Sequence, residues 1–207
     1  MRKSFLAALA VAGVGLVGAG WYYWRERQSE QPDYVLERSD GDFEVRLYPP
    51  VIVAETVQPG DRKTALNRGF SVLADYIFAK SRGGGTIEMT APVLSDAPIE
   101  MTAPVLSDGT ASGGWRTRFI MPARFTLDTL PPPPAGVTLT RLPARRLAAV
   151  RFAGSGGDAS LSSHEDDLRQ WMAAEGLKAA GEPEYAFYNS PFIPGPLRRN
   201  EVLIPLR

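Results

Sequence analysis

One imidazole, His164, and five methionines are the only side chains of this 207-residue chain that could offer a metal nitrogen or sulfur, because cysteine is absent. Met89, Met101 and Met121 could each give a thioether to a heme iron, although methionine more commonly fills irregular gaps in a core. The stretch Ser162-Ser163-His164-Glu165-Asp166-Asp167 has the form of a helix start, a serine cap followed by acids in the first turn. That form predicts His164 at a surface cap rather than on a ligand. A single histidine excludes a Ser-His-Asp triad and a zinc site built on several imidazoles. The lack of cysteine removes disulfides, thiolate nucleophiles and cysteine-held iron clusters.

The remaining polar groups point to binding rather than bond making. Glu88 and Glu100 occupy matching places in a repeated segment and could pair as acid and base, but they alternate with apolar neighbours as solvent-facing strand residues do. Arg62, Lys63 and Arg68 flank an apolar helical stripe that includes Leu66, Phe70 and Leu73. The stripe could line a cleft whose cations meet a ligand's carboxylates, or the cations could form a solvated rim. Tyr185, Phe187, Tyr188 and Phe192 form the densest aromatic cluster; they serve equally as walls for a flat ligand and as ordinary core. Arg198, Arg199, Asn200 and Glu201 are predicted to fix a loop. The glycine-rich stretch from Gly154 to Gly157 lacks the lysine and Ser/Thr of a phosphate-cradling loop. With 23 basic and 23 acidic residues, no net field draws in nucleic acid.

The elements that must position these groups follow from periodicity and breakers. Tyr34 to Glu37 and Phe43 to Leu47 flank Ser39-Asp40-Gly41 and predict a hairpin with one buried face. Val51 to Val57 is a strand, and Pro59-Gly60-Asp61 leads into a helix over 64–80. Ile87 to Asp96 recurs unchanged as Ile99 to Asp108, which predicts two neighbouring β segments. Trp115 to Met121 alternates as a half-buried strand. Beyond the stiff connector Pro131 to Pro134 the plan repeats: Val137 to Leu142, Arg145 to Phe152, a glycine-rich loop, and a helix from Ser163 to Glu175. A duplicated strand-strand-helix-strand unit about a pseudo-twofold axis is the expected architecture.

Ahead of this domain, Ser4 to Trp24 carries no charge and is bracketed by Arg2, Lys3 and Arg25, Glu26, Arg27. As a helix it would cross about 30 Å of hydrocarbon, with Trp21 to Trp24 at the interface. Residues 1–27 are therefore expected to be a single-pass anchor, membrane-embedded through 4–24, with 28–33 as linker and 34–207 as the domain outside. Small residues at Val17-Gly18-Ala19 also fit a cleaved signal peptide and a secreted product.

The doubled Met-Thr-Ala-Pro-Val of Met89 to Val93 and Met101 to Val105, the strand Trp115 to Pro122, and the terminal Arg198-Arg199-Asn200-Glu201-Val202 together resemble the SOUL heme-binding protein family. Leu47-Tyr48-Pro49, Ala148 to Gly154 and Tyr185 to Pro194 extend the likeness over about 34–206. The resemblance implies an α+β fold: a duplicated βαβ-type unit forming a distorted barrel or curved antiparallel sheet flanked by two helices, similar to the effector-binding domains of some bacterial regulators. It also implies a non-catalytic binder of heme or another porphyrin, held reversibly in an apolar cleft without a universal axial ligand; a monomer is expected. The residues expected at that cleft are Arg62, Lys63, Leu66, Phe70 and Leu73 from the first helix, the three methionines, and Tyr188 and Phe192. Two other readings remain open: an envelope protein-interaction module using a sheet edge, and a small-ester hydrolase with Glu88 or Glu100 as base.

Overall fold

A computed structural model of the chain describes residues 30–79, 85–96, 114–189 and 193–207. Residues 31–207 form one compact unit. The expected anchor, the second copy of the repeat, Met101, Glu100 and Phe192 lie outside the described residues. Among the described residues no helix is long and apolar enough to cross a membrane.

Nine described strands form a single antiparallel sheet: β1 (Val35–Asp40), β2 (Phe43–Tyr48), β3 (Val51–Pro59), β4 (Val93–Asp96), β5 (Gly114–Ile120), β6 (Thr138–Leu142), β7 (Arg145–Ala153), β8 (Glu184–Phe187) and β9 (Arg199–Pro205). The two described α-helices are α1 (Arg62–Ile77) and α2 (Asp158–Ala174). The strand order is β1-β2-β7-β9-β8-β4-β5-β3-β6. Leave out β1, exchange β2 with β6, β3 with β7, β4 with β8 and β5 with β9, and the order reads the same from either end. The duplication is thus written in the topology, with one correction: two strands follow each helix, not one. The halves are also interleaved, because β2 pairs with β7 and β3 with β6.

Strand alternation divides the side chains between the two faces of the sheet. On the face that carries the helices, Ile52, Ala54, Phe119 and Met121 pack with Leu73, Tyr76 and Ile77 of α1. Val45, Ala148, Val150, Phe152, Val202 and Ile204 pack with Leu161, Leu168 and Met172 of α2. The opposite face buries Tyr48, Val53, Leu94, Ile120, Leu147, Ala149, Ala186 and Leu203.

Local chemistry sets the boundaries. The Asp61 carboxylate accepts from Thr64 N at 3.0 Å, so α1 starts two residues before the expected position. Its buried line runs through Ala65, Gly69, Leu73 and Tyr76, leaving Leu66 half-buried and Phe70 at 38 % exposure. Gly69 causes that rotation: a Cβ there would stand 2.5 Å from Thr117 Oγ1, so the helix backbone lies directly on β5. The helix α2 begins at Asp158 with Gly157 as its cap, five residues before the expected start at Ser163. His164 is therefore in the second turn, not at a cap. Gly41, at φ 59°, makes the tight turn between β1 and β2.

Candidate ligand site

The residues singled out from sequence divide among three places. Leu73 and Met121 are buried between α1 and the sheet, with Met89 packed against the same cluster. Phe70 meets Phe119 edge-on at 5.3 Å at the rim of that core. These side chains pack against one another and do not border the two recesses described below.

The second place is a small recess of about 320 Å³ where the starts of α1 and α2 meet, lined by Asp61, Arg62, Trp115, Asp158, Leu161, Ser162, Glu165 and Tyr185. Arg62 is paired with Asp158 and donates Nη2 to the Gly156 carbonyl at 3.2 Å. Lys63 is exposed. The Tyr185 hydroxyl donates to Glu165 at 3.0 Å; burial, then the Glu165 carboxylate, pushes its pKa above the ordinary range. Charges and hydroxyl here already have protein partners.

The third place is on the face opposite α1 and α2, where Tyr188 belongs to a buried ionic network. Arg46 meets Glu201 in a bidentate pair, Nη1 to Oε2 at 2.7 Å and Nη2 to Oε1 at 3.1 Å, with both side chains at 0 % exposure. Arg46 also donates to Glu44 at 2.6 Å and to the Tyr48 hydroxyl at 3.1 Å. Glu201 accepts in addition from Tyr188 Oη at 2.7 Å and Arg199 Nη2 at 2.7 Å. Burial alone would raise the Glu201 carboxyl, but Arg46, Arg199 and Tyr188 outweigh it and hold the pKa below the ordinary value. Both carboxylate oxygens are fully engaged, so Glu201 has no free position for general-base work. The expectation that Arg199, Asn200 and Glu201 fix a loop is corrected: they open β9, a strand between β7 and β8. The continuous apolar run Val202-Leu203-Ile204, ended by Pro205, was the signal that could have shown a strand buried on both faces.

A wider recess, about 580 Å³, lies where α2 crosses β7 and the β1–β2 turn. Asp40, Gly41, Asp42, Phe43, Val150, Arg151, Phe152, Ala153, His164 and Asp167 line it. Small-molecule sites fall within roughly 300–1,000 Å³. The His164 ring lies on Phe152, with centroids 3.9 Å apart and planes 14° apart. Its Nδ1 is 2.7 Å from the Ser160 carbonyl, which can only accept, so Nδ1 carries the proton in this contact. Phe43 stacks on Trp171 at 5.3 Å, and the Trp171 indole donates to Asp40 at 3.0 Å. Aromatic floor, one imidazole and a polar mouth thus converge here. Sequence reasoning missed the place because His164 was set in a cap, and because Phe43 and Phe152 are far apart in the chain.

Glu88 is 77 % exposed and paired with Arg124 at 2.8 Å; it lies ahead of β4, because the β segment expected from Ile87 begins only at Val93. Among the described residues no group of three or more His, Cys, Asp or Glu side chains could hold a metal ion by itself.

A curved antiparallel sheet of paired halves with two described helices on one face defines an α+β fold. The chain belongs to the SOUL heme-binding protein family, whose model matches residues 29–205. No curated protein matches the sequence. Among solved structures, the EcmrR C-terminal domain is similar at 14 % identity and TM-score 0.60, over 80 % of this chain and 96 % of that one. An uncharacterized conserved protein from Listeria innocua is similar at 13 % identity and TM-score 0.54, over 80 % and 92 %. A protein described as a hydrolase from Listeria innocua is similar at 12 % identity and TM-score 0.52, over 83 % and 94 %. At these identities the likeness is one of fold alone.

Proposed function

We propose that this protein reversibly binds heme or a comparable planar, amphipathic tetrapyrrole and performs no catalytic step. The observation that carries the reading is the family match over 29–205. The recess beside α2 supplies a place consistent with it: Phe43, Val150 and Phe152 offer apolar surface beside the His164 ring. Such a ligand would be held by its flat faces, and its iron would supply the redox and axial-ligand chemistry that no side chain here provides. The uncharged run 4–24 supports a tether that keeps the domain at a membrane face, where amphipathic macrocycles partition.

Hemin titrated into the full chain, read by visible absorption and tryptophan fluorescence, tests the proposal. A saturable change in the Soret band with parallel quenching is expected. A linear, non-saturating response equal to that of hemin in buffer rejects it.

A further inference from the structure

We propose that the second copy of the duplicated segment, Ile99 to Asp108, can replace the first, Ile87 to Asp96, in the centre of the sheet, so that the chain has two exchangeable folded arrangements. Nothing in this depends on a bound ligand.

The ten residues of the two copies are identical, and the second starts twelve positions after the first. A place in the sheet that meets only this segment's own groups therefore has no means of telling the copies apart. The first copy is held in that way. The Ile87 amide donates to the Ile77 carbonyl at 2.7 Å, and the Thr90 hydroxyl donates to the Ile120 carbonyl. Ile87 and Met89 pack in the core under α1, while Leu94, at 1 % exposure, is in the apolar layer of the opposite face. Val93 to Asp96 form β4, paired with β5 on one side and β8 on the other. Every one of these partners is outside the repeat, and every group that meets them recurs in Ile99, Met101, Thr102, Leu106 and the run Val105 to Asp108.

The difference between the arrangements is carried by the connections. With the first copy in place these are 78–86 and 97–113; with the second they are 78–98 and 109–113. One lengthens as the other shortens. Because closure entropy grows only with the logarithm of loop length, loop closure separates the two arrangements by only about twofold in population. A connection over 109–113, with Gly109 and Gly113, has the length of an ordinary hairpin loop. The exchange keeps β4 between β5 and β8, and it moves the spare copy from the connection after β4 to the connection before it.

Urea unfolding of the full chain carrying Leu94→Asp, Leu106→Asp or both tests the exchange. A carboxylate in the buried Leu94 position lowers the folding equilibrium by roughly a hundredfold or more. In either single variant the other copy fills the place, and the equilibrium changes by no more than about fivefold; the double variant shows the full loss. A single variant as unstable as the double means that one copy alone owns the place, which overturns the exchange. A second measurement avoids destabilised variants. The chain has no cysteine, and Ser95 stands opposite Thr117 in the β4–β5 ladder. Ser95→Cys with Thr117→Cys therefore reports the first arrangement, and Ser107→Cys with Thr117→Cys reports the second. Mild oxidation of the native protein closes an intramolecular disulfide in both pairs, read by peptide mass mapping. Closure of the Ser95 pair alone overturns the proposal.

Discussion

Arg46 and Glu201, 155 positions apart in sequence, face each other in a two-pronged ion pair closed off from water. They join β2 to β9 through the intervening β7, on the face of the sheet opposite α1 and α2. Removing two charges from water costs several kcal/mol per ion, and the attraction between them does little more than offset that cost. Tyr48, Tyr188, Arg199 and Glu44 complete the set of hydrogen bonds that makes the arrangement tolerable.

Glu201→Leu leaves the buried Arg46 guanidinium with Glu44 as its remaining carboxylate and removes the acceptor of Tyr188 and Arg199, and stability is expected to fall by about 3–5 kcal/mol in urea unfolding. The double change Arg46→Met with Glu201→Leu recovers most of that loss. A double variant as unstable as the single one would show that the loss is one of packing rather than of charge.

The same network predicts how stability varies with pH. Because Glu201 titrates below its ordinary value of 4.5 in the folded chain, the unfolded chain takes up its proton first as acid is added. The stabilisation is therefore present above pH 4.5 and lost as pH falls through the folded value. Tyr48 and Tyr188 are shifted the other way, chiefly by burial, from an ordinary value of 10.0. Their contribution is complete below pH 10 and is lost as pH rises through the folded values. Thermal melts across this range should show both limbs, and Tyr188→Phe should reduce the alkaline one.

Gly69→Ala is expected to destabilise by about 1–3 kcal/mol, because the new methyl would meet Thr117 Oγ1 and Cβ at 2.5 and 2.8 Å. Thr117→Ala in the same chain should partly relieve it. Thr117→Val alone is expected to raise stability by about 1 kcal/mol, since Thr117 Oγ1 is buried without a hydrogen-bond partner. Calorimetric melts of the three variants check the order.

Arg62→Ala and Lys63→Ala should leave hemin affinity unchanged. Arg62 lines the recess between the helix starts and is already paired with Asp158, and Lys63 is exposed there in α1 rather than beside His164. Loss of affinity in either variant would move the ligand to that recess.

The chain displays its fold more openly than its site. The turn at Gly41, the β-branched run of β3, the alternation of β5 and the recurrence of strand, strand and helix are local patterns legible in the sequence. The expected buried face of the hairpin is corrected: β1 is exposed throughout, Leu47 is exposed and Arg46 is buried. Where the reading failed, a tertiary contact had overridden a local one. Gly69 turned the buried line of α1 away from Phe70 and Leu66 because β5 comes so close. Leu161, not Ser163, marks the true first turn of α2, since a glycine cap carries no side-chain signal. The recess beside α2 is assembled from the β1–β2 turn, β7 and α2, whose adjacency follows from sheet order alone. The Arg46–Glu201 pair is equally invisible to spacing.

The exchange of strands between the halves has a consequence for how such a molecule can be divided. Neither half carries the neighbour that its own first two strands need, since β2 lies against β7 and β3 against β6. A fragment with either half alone would present bare backbone along those borders and would be prone to sticking. Two copies of one fragment, however, could lend each other the missing border by the same rule of exchange, making a symmetric pair from a single short gene.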